Sequence, residues 1–82
     1  AERIAIVGTG LIGTSLAMAA ARAGDAVRGF DTDPGALARA AERSGLTPAA
    51  SVAECVRGAT IVFICTPIPS LADRWRQGLL RH

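Results

Sequence analysis

The chain has no lysine and no tyrosine, one methionine, one tryptophan and two cysteines. All nine of its basic side chains are arginines, spread along the sequence with no basic block. With a net charge of only +2, that distribution argues against a nucleic-acid-binding or membrane-surface protein. Cys55 and Cys65 form no C-x-x-C pair and no disulfide framework. They read as reduced intracellular thiols, each a small buried hydrophobe. No apolar run approaches the ~20 residues that a membrane-spanning helix needs. No signal peptide precedes the first apolar segment. The expectation is a soluble, cytoplasmic protein.

Eighty-two residues make at most one small domain. A chain of this length buries only about 60–65% of its unfolded surface, so its core is marginal. Half of the residues are apolar, which excludes a disordered chain. The abundance of Ala and Arg is a compositional bias with little functional content.

What is present is concentrated near the N-terminus. The apolar run Ile4 to Val7 reads as a buried strand and stops at Gly8-Thr9-Gly10-Leu11-Ile12-Gly13. A helical pattern follows at once, and the next apolar segment, Ala26–Phe30, ends in Asp31. A lone G-x-G-x-x-G is weak evidence. Placed after a strand, before a helix and ahead of an acid at the next strand's end, it is the dinucleotide-binding fingerprint. Gly8 lets the chain turn sharply, Gly10 lets the backbone approach a pyrophosphate, and Gly13 lets the helix pack against the strands. The first N–H groups of the helix lack intrahelical partners, and the helix dipole is positive there, so a diphosphate suits both. Asp31 would accept hydrogen bonds from adenosine ribose hydroxyls. The competing explanation is a glycine-rich turn with no ligand.

The remaining pattern alternates. Strands are predicted at 3–7, 26–30 and 60–65, with a short edge strand at 46–49. Helices are predicted at 11–23, from Pro34 to Gly45, at 52–57 and from about 70 to 80. Gly24 and Gly45 act as stops. Asp33 is an N-cap before Pro34, and Ser51 with Glu54 forms a capping box. The second helix should bury Leu37, Ala38 and Ala41. Thr60–Cys65 is continuously apolar and β-branched, as in a strand buried on both faces. These elements predict an α/β fold: a Rossmann-type parallel sheet in the order 3-2-1-4, with right-handed crossovers. This is the N-terminal mononucleotide-binding half only. Residues 1–82 are therefore expected to be a partial dinucleotide-binding domain of a larger enzyme, with an outer strand edge free for self-association.

The segment Gly8–Ala17, G-T-G-L-I-G-T-S-L-A, resembles the prephenate dehydrogenase family, which includes the arogenate dehydrogenases. That family typically shows G-x-G-L-I-G-G-S-L-A after its first strand. Gly29-Phe30-Asp31 is similar to the glycine–aromatic–acid ending of the family's second strand. Val62-Phe63-Ile64-Cys65-Thr66-Pro67 is similar to its apolar strand running to a proline beside the cofactor. The resemblance covers residues 3 to about 72, and Thr14 departs from it where the family has glycine. It implies NAD-dependent oxidative decarboxylation in tyrosine biosynthesis, in a homodimeric parent enzyme. The family's catalytic histidine and substrate-binding arginines lie downstream of the matched positions. His82 matches no motif, no catalytic or metal-binding residue is assigned, and the chain alone should be inactive.

Asp31 would sit against a 2′-phosphate, Asp33 adds a second acid, and no Arg follows at Thr32, so NAD is favoured over NADP. The expected cofactor-binding set is Gly8, Thr9, Gly10, Leu11, Ile12, Gly13, Asp31, Thr32, Cys65, Thr66 and Pro67. Thr9 should offer its hydroxyl or N–H near the pyrophosphate. Leu11, Ile12, Leu16 and Met18 should be mostly core. Arg28 should face solvent. Two other readings stand beside this one: the equivalent piece of another NAD(P)-dependent dehydrogenase or reductase, and a non-catalytic nucleotide-binding module.

Overall fold

The structure, a computed structural model, describes residues 1–65. The predicted helix from 70 to 80, and Thr66 and Pro67, lie outside the described residues. Strand β1 (Arg3–Val7), helix α1 (Leu11–Arg22), β2 (Ala26–Phe30), α2 (Pro34–Ser44), β3 (Thr47–Pro48), α3 (Val52–Val56) and β4 (Ile61–Ile64) follow in that order. The four strands form one parallel sheet in the order β3-β2-β1-β4.

Local chemistry accounts for the boundaries. Asp33 caps α2 by accepting the Gly35 N–H at 2.9 Å, and Pro34 follows in the first turn. Gly45 closes α2 at φ 77°, and Gly24 follows the last turn of α1 at φ 84°. Both are left-handed conformations in which a Cβ would be strained. Ser51 accepts the Glu54 N–H at 3.1 Å, while the Glu54 carboxylate accepts the Ala50 N–H at 3.1 Å. The return bond of the capping box thus falls one residue before the cap. Strand β3 is shorter than expected, spanning Thr47–Pro48; it occupies the sheet edge, where proline is tolerated, and the Ala49 N–H still donates to the Gly29 carbonyl at 2.8 Å.

Alternation along β1 divides the core. Ile4 and Ile6 face α1 and α2, where they pack with Ala17, Ala20, Val27, Ala40 and Leu46. Ala5 faces α3 and packs with Ala49 and Cys55. Full burial of a residue such as Ile6 contributes about 1.5–3 kcal/mol. On α2 the buried alanine is Ala40, flanked by the partly buried Leu37 and Ala41, while Ala38 is exposed. Ala40 and Ala41 lie three and four residues beyond Leu37, on the same helix face; Ala38 lies about 100° away.

Strand β4 departs from the expectation of burial on both faces. Val62 and Ile64 are 45% and 64% exposed. They share a face with Ala5 and Val7, to which they are paired. Helix α3 covers that face over β1 and β2 instead, and among the described residues β4 is the edge of the sheet. No helix among the described residues is long and apolar enough to cross a membrane.

Candidate functional site

The carboxyl ends of β1 and β2 lie side by side, with Val7 opposite Phe30. The Gly8 N–H donates to the Phe30 carbonyl at 2.8 Å, which ties the turn after β1 to the end of β2. Gly8 takes φ 98°, so the chain reverses within one residue. Gly10 is the N-cap of α1 and offers no side-chain cap. The first helical bond runs from the Thr14 N–H to the Gly10 carbonyl at 2.9 Å. Among the described residues, the N–H groups of Gly10, Leu11, Ile12 and Gly13 have no acceptor. A Cβ at Gly10 would meet no described residue within 4 Å. An open space thus lies in front of uncapped donors at the positive end of a twelve-residue helix, an arrangement suited to an anion.

Asp31 closes the other side. Its Oδ2 accepts the Thr9 N–H at 2.8 Å and the Thr9 hydroxyl at 3.0 Å, and its Oδ1 accepts the Asp33 N–H at 2.8 Å. Partial burial pushes the carboxyl up, but the Asp33 N–H, the Thr9 N–H and the Thr9 hydroxyl outweigh it and hold it below the ordinary carboxylate value. Asp31 is therefore an ionised acceptor with lone-pair capacity left on Oδ1. Thr32 and Asp33, next in the chain, are exposed.

Thr9 differs from its expected position. It is buried, and it spends both its N–H and its hydroxyl on Asp31 rather than on the space in front of the turn. The short distance between the ends of β1 and β2 brings these groups together, and sequence spacing could not reveal it. Leu11 and Ile12 are exposed, at 81% and 68%, rather than core; they project from the first turn of α1 beyond the sheet. Leu16 packs on the core, and Met18 lines a cleft. That cleft, about 400 Å³, runs between α1 and α2 from Thr9 and Gly10 past Thr14 to Arg39 and Arg43.

Cys65 directly follows β4, and its N–H donates to the Val7 carbonyl at 2.8 Å. It is thereby held at the same sheet end as the glycine turn. Cys55 is buried, and burial pushes its thiol up, with Arg28 a weaker opposing charge; its S–H donates to the Ile6 carbonyl at 3.7 Å. Arg28 is exposed and donates to the Glu54 carbonyl at 3.1 Å, across to α3. Thr14 is the residue that sequence reasoning passed over. It is buried, and its hydroxyl donates to the Thr9 carbonyl at 3.0 Å. Its one signal in the sequence is a hydroxyl where the resembled family has glycine.

A parallel β3-β2-β1-β4 sheet, a glycine turn into α1 and an acid at the end of β2 define a Rossmann-type domain for pyridine dinucleotides. The chain belongs to the family described as NADP oxidoreductase, coenzyme F420-dependent, which matches residues 3–81. It is an NAD(P)-binding domain of the oxidoreductase type.

Among solved structures, the chain is similar to 3-hydroxyisobutyrate dehydrogenase of Mycobacterium tuberculosis, described with L-serine. The two are 32% identical with a TM-score of 0.78, over 89% of this chain and 25% of that one. It is also similar to arogenate dehydrogenase of Synechocystis, at 32% identity and TM-score 0.74, over 88% and 26%. A third similarity is to the WlbA dehydrogenase of Chromobacterium violaceum, described in complex with NADH and UDP-GlcNAcA. Here the identity is 32% and the TM-score 0.68, over 80% and 21%. The chain thus spans about a quarter of the length of these structures. No curated protein matches it in sequence.

Proposed function

We propose that this chain is the NAD-binding portion of a dehydrogenase of the prephenate or arogenate type. The observation that carries the reading is the open space at Gly10, with uncapped N–H groups on one side and the ionised Asp31 on the other. The N–H groups of Gly10, Leu11, Ile12 and Gly13 hold the diphosphate. Asp31 accepts from the adenosine ribose hydroxyls, and Thr32 flanks it. Asp31 and Asp33 repel a 2′-phosphate, which favours NAD over NADP. Cys65, with Thr66 and Pro67 after it, borders the cofactor at the end of β4. Bound there, the dinucleotide supplies hydride acceptance, and the chain supplies position and electrostatics.

The prephenate or arogenate reading is supported by the L-I-G-x-S-L-A segment after Gly10 and by the likeness to the Synechocystis arogenate dehydrogenase. A second reading, a dehydrogenase of the 3-hydroxyisobutyrate type, is supported by the higher TM-score of the Mycobacterium structure. The catalytic base of either chemistry is not assigned to this chain. A cytoplasmic, homodimeric parent belongs to the same proposal.

Calorimetric titration of the chain with NAD, NADP and ADP-ribose tests the cofactor assignment. NAD and ADP-ribose are expected to bind, with NADP at least about tenfold weaker, or ~1.4 kcal/mol. Equal or tighter NADP binding overturns the cofactor choice, and no binding by any of the three overturns the site. Turnover of prephenate and arogenate against 3-hydroxyisobutyrate, by the protein at its natural length, decides between the two substrate readings.

A further inference from the structure

We propose that Thr14 is a positioning residue for nucleotide recognition: through Thr9 it aligns both the Gly10 N–H offered to the diphosphate and the Asp31 carboxylate offered to the ribose. The inference rests on the nucleotide-binding reading above.

Thr9 is held on three sides. Its N–H and hydroxyl donate to Asp31 Oδ2 at 2.8 and 3.0 Å, and its carbonyl accepts the Thr14 hydroxyl at 3.0 Å. Glycines flank it at positions 8 and 10, so the backbone on either side is soft and an external clamp decides its orientation. The Thr9 carbonyl and the Gly10 N–H belong to the same peptide unit. A donor on that carbonyl fixes the peptide plane, and it polarises the N–H into a stronger donor. The preceding peptide carries the Thr9 N–H that Asp31 accepts. A rotation of Thr9 would therefore disturb the diphosphate side and the ribose side together.

The Thr14 contact is not the usual side-chain bond within a helix. Ser15, next to it, back-bonds to the Leu11 carbonyl four residues earlier at 2.8 Å, the ordinary habit of a helical hydroxyl. Thr14 reaches five residues back, past the helix start and into the turn. Both Thr14 and Thr9 are buried, at 9% and 3% exposure. A glycine at this position, as in the resembled family, has no hydroxyl to offer. This chain carries an added clamp.

The test compares Thr14→Val, Thr14→Ala and Thr14→Ser with the unaltered chain. Two readouts are taken: ADP-ribose affinity by calorimetry, and titration of the Asp31 carboxyl by carbon NMR. Thr14→Val is expected to weaken ADP-ribose binding about tenfold and to move the Asp31 titration up towards its ordinary value. Thr14→Ser restores both. Thr14→Ala, which removes the hydroxyl without a branched side chain, serves if Thr14→Val does not fold. Loss variants that match the unaltered chain in both readouts overturn the proposal. So does a Thr14→Ser variant as impaired as Thr14→Val, which would mark a packing role for the methyl group. If the unaltered chain binds no ADP-ribose, the nucleotide reading fails, and the Asp31 titration alone decides whether Thr14 positions that carboxylate.

Discussion

A Cβ built on Gly13 would lie 2.1 Å from the carbonyl oxygen of Gly8 and 3.2 Å from Cγ2 of Ile6. Helix α1 therefore approaches β1 as closely as a backbone without a side chain permits. That approach brings the start of α1 to the end of β2.

This contact and the open space at Gly10 separate two glycines that look alike in the sequence. Gly13→Ala is expected to destabilise the fold by about 1–3 kcal/mol or more, because neither the Gly8 backbone nor the core can give way. Gly10→Val should fold, since a Cβ there meets no described residue within 4 Å, yet lose affinity for NAD about thirtyfold, or ~2 kcal/mol. Urea denaturation midpoints and calorimetric affinities, measured on both variants, check the contrast. Equal stability loss in the two variants would sink it.

Cofactor selectivity should turn on Asp31. Asp31→Ser removes the charge that opposes a 2′-phosphate, and Arg39, which lines the cleft beginning at Gly10, supplies a positive charge nearby. The NAD/NADP preference is expected to narrow tenfold or more, since an unfavourable charge contact is worth a few kcal/mol at a partly buried site. Paired titrations with the two cofactors measure it, and an unchanged ratio removes Asp31 from the selectivity argument.

Acid should weaken the fold through the same residue. The folded carboxyl of Asp31 lies below its ordinary value, which is about 3.9. Its contribution is therefore complete above that value and is lost as pH falls through the folded value. Asp31→Asn leaves one acceptor oxygen for three donors and should cost about 1 kcal/mol at neutral pH. It should also flatten the acid limb below about pH 4. Denaturation curves at pH 7 and pH 3 give the comparison; parallel losses in both proteins would discount Asp31 as the titrating group.

The exposed side of β4 should promote self-association. Val62 and Ile64 present apolar surface beside a strand edge that no described strand pairs, and net charge +2 offers little repulsion. Light scattering above micromolar concentration should show association, reduced by Ile64→Lys, a substitution that exposure at this position tolerates. A monodisperse monomer at high concentration would show that the edge is covered.

The amino-acid sequence by itself determined the elements and their order. Glycine and proline stops, the Asp33 and Ser51 caps and the apolar runs are local signals, and each acts over a few residues. Strand order followed from them because together they make the pattern of a Rossmann-type mononucleotide-binding half, whose strand order is 3-2-1-4. The glycine turn and Asp31 were legible for the same reason: their spacing is a property of one βαβ unit. Tertiary structure decided what depends on approach between distant segments. It committed the donors of Thr9 to Asp31, twenty-two residues away, and turned Thr14 from a variant position into a clamp. It buried Ala40 rather than Ala38, a choice that rests on helix phase and that two alanines of equal hydrophobicity cannot signal. It left Leu11, Ile12 and Ile64 exposed, because hydrophobicity states what a side chain favours and only the placement of neighbouring elements supplies the cover.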